Sequence, residues 1–444
     1  MFVWFVLKKR LRIPLFSAIM RSMPKRPAQN TLYTHDNLYV LCGMNSESVD
    51  LIYLDPPFNS KRMYSAPVGS KAAGASFKDM WTWQDVDEHY LDTLADQFPA
   101  LTKYIASVGQ VHSKPMMAYL AYMTQRIIEM HRVLKETGSL YLHCDPTASH
   151  YLKIVLDSIF GKNNFRNEII WHYGAGHPPK KDFARKHDVL LRYSKSGKYV
   201  FYSDDKIMRI PFKETATKMH FMHVDAEGRR YRKYDSGKIA YLDEGKVITD
   251  VWTDIDSQEA TSPISKEYTG YPTQKPLGLL KRIITASSKE EDIIMDPFCG
   301  CATTCVAAQQ LGRKWIGIDI EKQAVGILIE RLSDDAGLFK DFVATEQIPK
   351  RNDIKEVQPS PSIKERLYKQ QDGKCNACGQ DFELRNLEID HIIPKAKGGG
   401  DYYENYQLLC GSCNRIKGDR PMEYLRMRIE MRERMMKTKI FFGE

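Results

Sequence analysis

Two hydrophobic periods alternate along this chain. Short apolar runs such as SVDLIYLD (48–55), SLYLHCD (139–145) and EDIIMDPF (291–298) have the length and character of buried strands. Between them, MAYLAYMTQRIIEMHRVLKE (117–136) sets Leu120, Met123, Ile127 and Met130 three and four residues apart, the apolar stripe of a helix. Thr137-Gly138 predicts the end of that helix, with Gly138 in the left-handed conformation beyond its C-terminus. A second instance, IIMDPFCGCATTCVAAQQLGRKWIGIDI (293–320), reads strand, small-residue loop, helix, strand. Such alternation predicts an α/β fold with a mostly parallel sheet. From about 341 to 362 the text turns to DFVATEQIPKRNDIKEVQPSPS, polar with three prolines, which is the composition of a linker.

The length of 444 residues allows two to four domains, and 43% hydrophobic with 27% charged residues is the balance of a globular protein with a sizeable core. The net charge of +9 becomes informative once located. Between Trp171 and Lys238 sixteen Lys and Arg face eight Asp and Glu, interleaved with aromatics such as Tyr173, Tyr199, Phe201 and Tyr231. That mixture suits phosphates and bases, although a solvated basic face over an ordinary core has the same composition. Nine cysteines, an odd number with four in a metal-like arrangement, argue against a disulfide framework and for a reducing cytoplasm. The opening MFVWFVLKKRLRIPLF has its basic cluster after an apolar stretch too short to span a bilayer, so residues 1–23 read as an extension ahead of Met23.

Candidate chemistry begins where the first apolar run stops. In LIYLDPPFNS (51–60), Asp55 stands at the end of a strand, where ligands of open α/β sheets collect. Pro56 and Pro57 fix the backbone so that the Asp55 carboxylate and a neighbouring carbonyl can point into one space. Two converging acceptors suit an amino group with two N–H donors, and Phe58 could stack on the planar base that carries it. An Asp before prolines is also a common turn or cap. In the second stretch, Gly300 permits close backbone approach to a ligand, Thr303 and Thr304 begin a helix whose amides can bind a carboxylate, and Asp319 at the end of the next strand can hold ribose hydroxyls. A dinucleotide site fits less well, because GCATTC lacks the G-x-G-x-x-G pattern.

Over roughly residues 30–335 the chain resembles the amino-methylating DNA methyltransferases of the β arrangement, in which the catalytic motif precedes the cofactor loop. THDNLYVL (34–41) is similar to that family's GDN segment, with His35 in place of glycine; DPPF (55–58) resembles its DPPY, with Phe58 in place of tyrosine. SLYLHCDPTASHYLKIVLDSIFGKNNFRNEIIW (139–171) is similar nearly throughout, YPTQKPLGLLKRII (271–284) resembles a segment that helps hold the cofactor, and DPFCGCATT resembles the cofactor loop, with Cys301 and Ala302 at positions usually small or glycine. The resemblance implies a Rossmann-like fold and S-adenosylmethionine as methyl donor, held by Asp36, Lys275, Asp296, Phe298, Gly300, Thr303, Thr304 and Asp319. It implies catalysis by Asp55, Pro56, Pro57 and Phe58 on a base rotated out of the duplex, adenine N6 rather than cytosine N4. It places a target-recognition region at 172–250, between a catalytic half (24–171) and a cofactor-binding half (251–345). Direct methylation of RNA or a small molecule is the competing class.

Beyond a linker at 346–362, residues 363–444 carry a different signal. Cys375/Cys378 and Cys410/Cys413 are two C-x-x-C pairs, the ligand set of a closed tetrahedral zinc site, and a domain of this size with its small core would need such a metal to stay folded. Between and after the pairs, LEIDHIIPKAKGG, ENYQLLC and CNRIKGD resemble the HNH endonucleases with their ββα unit. The resemblance implies that Asp390 and Asn414 bind Mg²⁺ or a similar ion, His391 deprotonates water and Asn405 orients the histidine. A zinc-stapled module that only binds DNA is the alternative. The last stretch, MEYLRMRIEMRERMMKTK, predicts a helix packing Met and Leu on this domain. The whole reads as a methyltransferase fused to a nuclease, acting on double-stranded DNA near the cytoplasmic nucleoid, with no membrane contact and with a homodimer as one arrangement open to it.

Overall fold

The computed structural model describes residues 30–429, apart from 60–61, 68, 74–75, 80, 83–85, 87–96, 175–178, 213–219, 337–341, 396–398, 421, 423 and 426–427. The expected N-terminal extension, and the terminal helix beyond residue 429, lie outside the described residues.

A nine-stranded sheet organises the larger part. Its strands in chain order are β1 (Thr31–Thr34), β2 (Val49–Leu54), β3 (Leu134–Cys144), β4 (Phe165–His172), β5 (His187–Ser194), β6 (Val251–Trp252), β7 (Ile293–Asp296), β8 (Lys314–Asp319) and β9 (Val343–Thr345). Across the sheet they run β6-β4-β5-β3-β2-β7-β8-β1-β9, and only β5 lies antiparallel to its neighbours. The mostly parallel α/β expectation holds. Both faces of the centre are covered: in β2, Ile52 and Leu54 face one apolar cluster while Leu51 and Tyr53 face the other. Burial on both faces is why these strands read as continuous apolar runs rather than alternating ones.

Topology places the site. From β2 the chain crosses outward to β3, and from β7 it crosses the other way to β8, so the sheet order diverges between β2 and β7, which are hydrogen-bonded neighbours with Met295 beside Ile52. A crevice at the carboxyl ends of such diverging strands is where α/β sheets bind ligands.

The helices of seven or more residues among the described residues are α1 (Asn37–Gly43), α2 (Pro99–Val111), α3 (Lys114–Val133), α4 (Pro146–Leu156), α5 (Leu277–Ser287), α6 (Thr303–Gln310) and α7 (Gln323–Ala336) in the sheet domain, then α8 (Pro361–Gln370) and α9 (Gly411–Lys417). Leu120, Met123, Ile127 and Met130 of α3 are fully buried, each stabilising the fold by about 1.5–3 kcal/mol relative to an exposed side chain. The helix ends at Val133, five residues before Gly138, the expected stop. Leu134 is already paired with Val49 in the sheet, and Gly138 serves a strand: a Cβ there would meet the Asp50 carbonyl oxygen at 2.8 Å.

Part of the basic segment expected to recognise DNA is core. Val189, Leu190, Leu191 and Tyr193 of β5 are buried in the sheet. Beyond it, His223–Val224, Arg230–Lys233 and Ile239–Tyr241 form a separate three-stranded antiparallel sheet with Arg230 and Lys233 exposed. In the C-terminal part, β10 (Leu387–His391) and β11 (Tyr406–Cys410) form an antiparallel pair followed by α9, a ββα unit around a core that includes Leu387, Leu408, Leu409, Met422 and Leu425.

Candidate active site

A cavity of about 340 Å³ opens at the β2/β7 crevice, and its walls include Asp36, Asp55, Pro56, Pro57, Phe58, Lys275, Asp296, Phe298, Gly300, Thr303, Thr304 and Asp319. All twelve residues, expected from four segments between positions 34 and 320, therefore line one cavity.

The Asp55–Phe58 corner is braced from two sides. Asn59, in the left-handed region at φ 62°, donates its amide to Asp79 at 2.6 Å, which holds the turn after the prolines. Phe58 stacks on His143 with 6.2 Å between centroids and 28° between planes. His143 is itself fixed by the Tyr53 hydroxyl at 2.8 Å and by Asp188 at 3.0 Å. Burial opposes the charge on Asp188, yet the His143 hydrogen bond and charge, with Lys275, hold its carboxyl below the usual range. The ring is thus supported from beneath by a polar network that has no solvent access at His143.

Asp55 has unequal oxygens. Oδ2 is bound by the Lys275 ammonium, while Oδ1 is buried and has no hydrogen-bond partner among the described residues. Lys275 Nζ also lies 5.6 Å from the Phe58 ring centroid. Lys275 therefore sits over the Asp55–Phe58 corner, in the same cavity as the residues after β7 with which the sequence grouped it.

The loop after β7 is folded by its own side chains. Asp296 accepts from the Phe298 amide at 3.0 Å and the Thr304 hydroxyl at 2.5 Å, and burial pushes its carboxyl up to about 7. Thr303 accepts from Arg331 at 2.9 Å, so both threonine hydroxyls turn into the protein and leave amides at the start of α6. Gly300 has φ 49°, and a Cβ on it would come within 2.9 Å of the Tyr271 ring, which packs the 271–275 segment onto the loop. The Gly300 amide donates to Asp319 at 2.7 Å, and Glu321 donates to the other oxygen at 2.8 Å. Asp319 still opens on the cavity, but its carboxyl is walled in, and burial raises it to about 6.

Asp36 caps α1 through Leu38 at 2.8 Å and pairs with Arg126 at 2.9 and 3.2 Å. Arg126, on α3, went unnoticed in the sequence. Its side chain is 3% exposed, it donates to Asn37 at 2.6 Å, and Asn37 in turn donates to the Pro297 carbonyl at 2.7 Å. One buried guanidinium thus ties the HDN segment to the loop after β7. The available signal was a cation next to Ile127 inside an apolar helical stripe.

In the C-terminal unit the four cysteine Sγ atoms lie within 4.8 Å of one another. A tetrahedral Zn²⁺ with bonds of about 2.3 Å needs sulfur atoms about 3.8 Å apart, so this set fits that ion. The residues expected to serve a nuclease are placed less simply. Asp390 accepts from Gln407 at 2.7 Å and pairs with Lys417 at 3.0 Å, a lysine whose side chain is fully buried. Asn414 donates to Glu388 at 2.6 Å. The oxygens of Asp390, Glu388 and Asn414 suit a hard cation, but such an ion would compete with Lys417 for Asp390. His391, next along the strand and so on its opposite face, bonds Asp401 at 2.8 Å. No hydrogen bond joins Asn405 to the ring among the described residues; its side-chain amide instead bonds Ile393 and Gly400. Asp401 was missed, because nothing in its local pattern distinguishes it from a turn aspartate.

The DNA methylase family profile matches residues 49–330, and the HNH endonuclease profile matches residues 375–420. The chain belongs to the DNA methylase family. The methylase is 30% identical to the Type II methyltransferase M.EcaI of Enterobacter cloacae over 51% of this chain and 60% of that one. It is 27% identical to the DNA adenine methyltransferase YhdJ of Escherichia coli (strain K12) over 74% of this chain and 93% of that one. Among solved structures, the PvuII DNA methyltransferase (cytosine-N4-specific) aligns with 69% of the methylase and 88% of its own chain at 14% identity and a TM-score of 0.43. The methylase thus carries an HNH endonuclease domain after its methyltransferase domain. Among the described residues no helix is long and apolar enough to cross a membrane.

Proposed function

We propose that this methylase transfers a methyl group to adenine N6 in double-stranded DNA. The observation that carries the reading is the orphaned Asp55 Oδ1, buried in the cavity that also holds Gly300 and Asp319. Such an atom costs about 1–3 kcal/mol unless a ligand donates to it. S-adenosylmethionine, when bound, supplies an electrophilic methyl. For it, the α6 amides would receive the carboxylate, Asp319 the ribose hydroxyls, and Asp36 would face the adenine with the oxygen that Arg126 contacts less closely. A base rotated from the duplex stacks on Phe58 and donates from its amine to Asp55 and the Pro56 carbonyl, which favours a pyramidal, more nucleophilic nitrogen. Lys275 holds the other carboxylate oxygen, Oδ2, and leaves Oδ1 for the amine.

The relative named as an adenine methyltransferase supports adenine over cytosine, and so does an aspartate opening the catalytic motif. The basic stretch within 172–250 would lie on phosphates while a few side chains read base edges. The same proposal includes residues 24–171 and 251–345 as the two halves of the methyltransferase, zinc in the four-cysteine cluster, a nucleoid address and, as one arrangement, a homodimer. Labelled methyl incorporation into duplex DNA, followed by nucleoside analysis, tests it. N6-methyladenine should appear with wild type and vanish with Asp55→Ala; N4-methylcytosine, or label in RNA alone, would reject the assignment.

For the 363–444 domain we propose Mg²⁺-dependent DNA cleavage with His391 as base, and cutting that depends on the methylation state of the target. Equal cutting of methylated and unmethylated DNA ends the second part. The Lys417–Asp390 pair favours a second reading, a zinc module that binds without cutting. Nicking lost in His391→Ala supports cleavage, and no His391-dependent nicking supports the module.

A further inference from the structure

The segment between the two domains is docked on both. Asn45 and Asn352 exchange hydrogen bonds of 2.6 and 2.9 Å, and the Ser46 amide donates to Asp353 at 2.9 Å, which staples the segment to the turn after α1. Further on, the Val357 amide donates to the Asp401 carbonyl at 2.6 Å, and the Tyr406 hydroxyl donates to the Val357 carbonyl at 2.8 Å. Gln358 Nε2 then donates to Asp401 Oδ2 at 3.0 Å. The other oxygen of Asp401 meets His391 Nε2 at 2.8 Å and the Tyr406 hydroxyl at 3.1 Å, and Lys395 reaches Oδ2 at 2.7 Å.

We propose that Asp401 is the positioning residue of the nuclease, orienting the His391 ring through Nε2 and itself held in place by the interdomain segment. The proposal rests on the cleavage reading above. A carboxylate receiving Nε2–H fixes the tautomer and leaves Nδ1 as the basic atom, and it stabilises the imidazolium once a proton arrives. In the step itself, Nδ1 takes a proton from water, the water oxygen bonds to phosphorus, and the bond from phosphorus to the departing sugar oxygen breaks. That oxygen leaves with the electron pair and takes a proton from solvent. The donors from Lys395, His391, Gln358 and Tyr406 hold the Asp401 carboxyl well below the usual carboxylate range, so it is an anion throughout. Asn405 acts one step earlier, by closing the loop from which Asp401 projects.

The consequence is that a nuclease residue depends on a segment outside the HNH fold. Full-length wild type, Asp401→Ala, Gln358→Ala and His391→Ala are compared for plasmid nicking with Mg²⁺, resolving kcat from the KM for DNA. Zinc content and methyl transfer report folding of the two domains. Asp401→Ala should lose about a hundredfold in kcat with KM within about twofold, and Gln358→Ala about three- to tenfold in kcat. If Asp401→Ala loses its zinc, Gln358→Ala decides. Wild-type rates in the folded variants, or a loss confined to KM, overturn the proposal while cleavage stands. An inert wild type overturns the cleavage reading and the proposal with it.

Discussion

Replacing Arg126 with methionine keeps the aliphatic stem and deletes the guanidinium that joins the HDN segment to the loop after β7. Three losses set the cost. Asn37, 7% exposed, is left with an acceptor whose 2.6 Å donor is gone, worth about 1–3 kcal/mol. Asp36 is 35% exposed at its side chain and rehydrates, so its share is no more than about 1 kcal/mol. The guanidinium also lies 3.3 Å from the Tyr122 ring centroid, and losing that contact adds about 0.5–1 kcal/mol. The sum is about 2–4 kcal/mol, since neighbouring terms do not add fully. Urea unfolding followed by tryptophan fluorescence reads it, with the sheet-domain transition separated from that of the zinc domain. Because Asn37 holds the Pro297 carbonyl, affinity for S-adenosylmethionine should fall about tenfold, or about 1.4 kcal/mol, by calorimetry. A variant within about 0.5 kcal/mol of wild type with unchanged affinity would refute the claim that this guanidinium supports the site.

Three further outcomes are expected. Burial raises the Asp319 carboxyl to about 6, so S-adenosylmethionine affinity should drop as pH falls through 6, where protonation removes the acceptor; Asp319→Asn should bind weakly with a flat profile. The linkage sign is opposite for stability: the raised value gives a contribution complete below about 3.8 and lost as pH rises through about 6, which urea titrations of wild type and Asp319→Asn will show. Lys275→Met should leave S-adenosylmethionine affinity within about twofold and change methylation of DNA, because Lys275 contacts Asp55; collapse of cofactor affinity would return it to the cofactor site. Strong chelators should strip the four-cysteine cluster and unfold the small C-terminal core, abolishing nicking while methyl transfer continues, and concurrent loss of methyl transfer would show that the two domains do not fold independently.

Local chemistry made much of this protein legible before any coordinates. The central parallel strands are apolar on both faces, and the residues at the β2 corner and after β7 bear their chemistry in contiguous motifs, as do the paired cysteines. Short-range pattern suffices where a function needs a fixed backbone corner or a ligand spacing. It fails where the signal is a partner far along the chain. Gly138 looks like a helix stop until Asp50 is found against it, and β5 looks like part of a basic surface until the sheet buries it.

The sequence alone determined which residues could form a methyl-transfer corner, a cofactor loop and a thiolate cluster, because each is a local arrangement of backbone and side chain. Tertiary structure decided that β2 and β7 lie side by side, so that Asp55 and Gly300 share a cavity. It also decided that Arg126 supports Asp36, that Lys275 covers Asp55 and that Asp401 holds His391. A buried charge must find its counter-charge in space, and its distance along the chain says nothing about which one it finds.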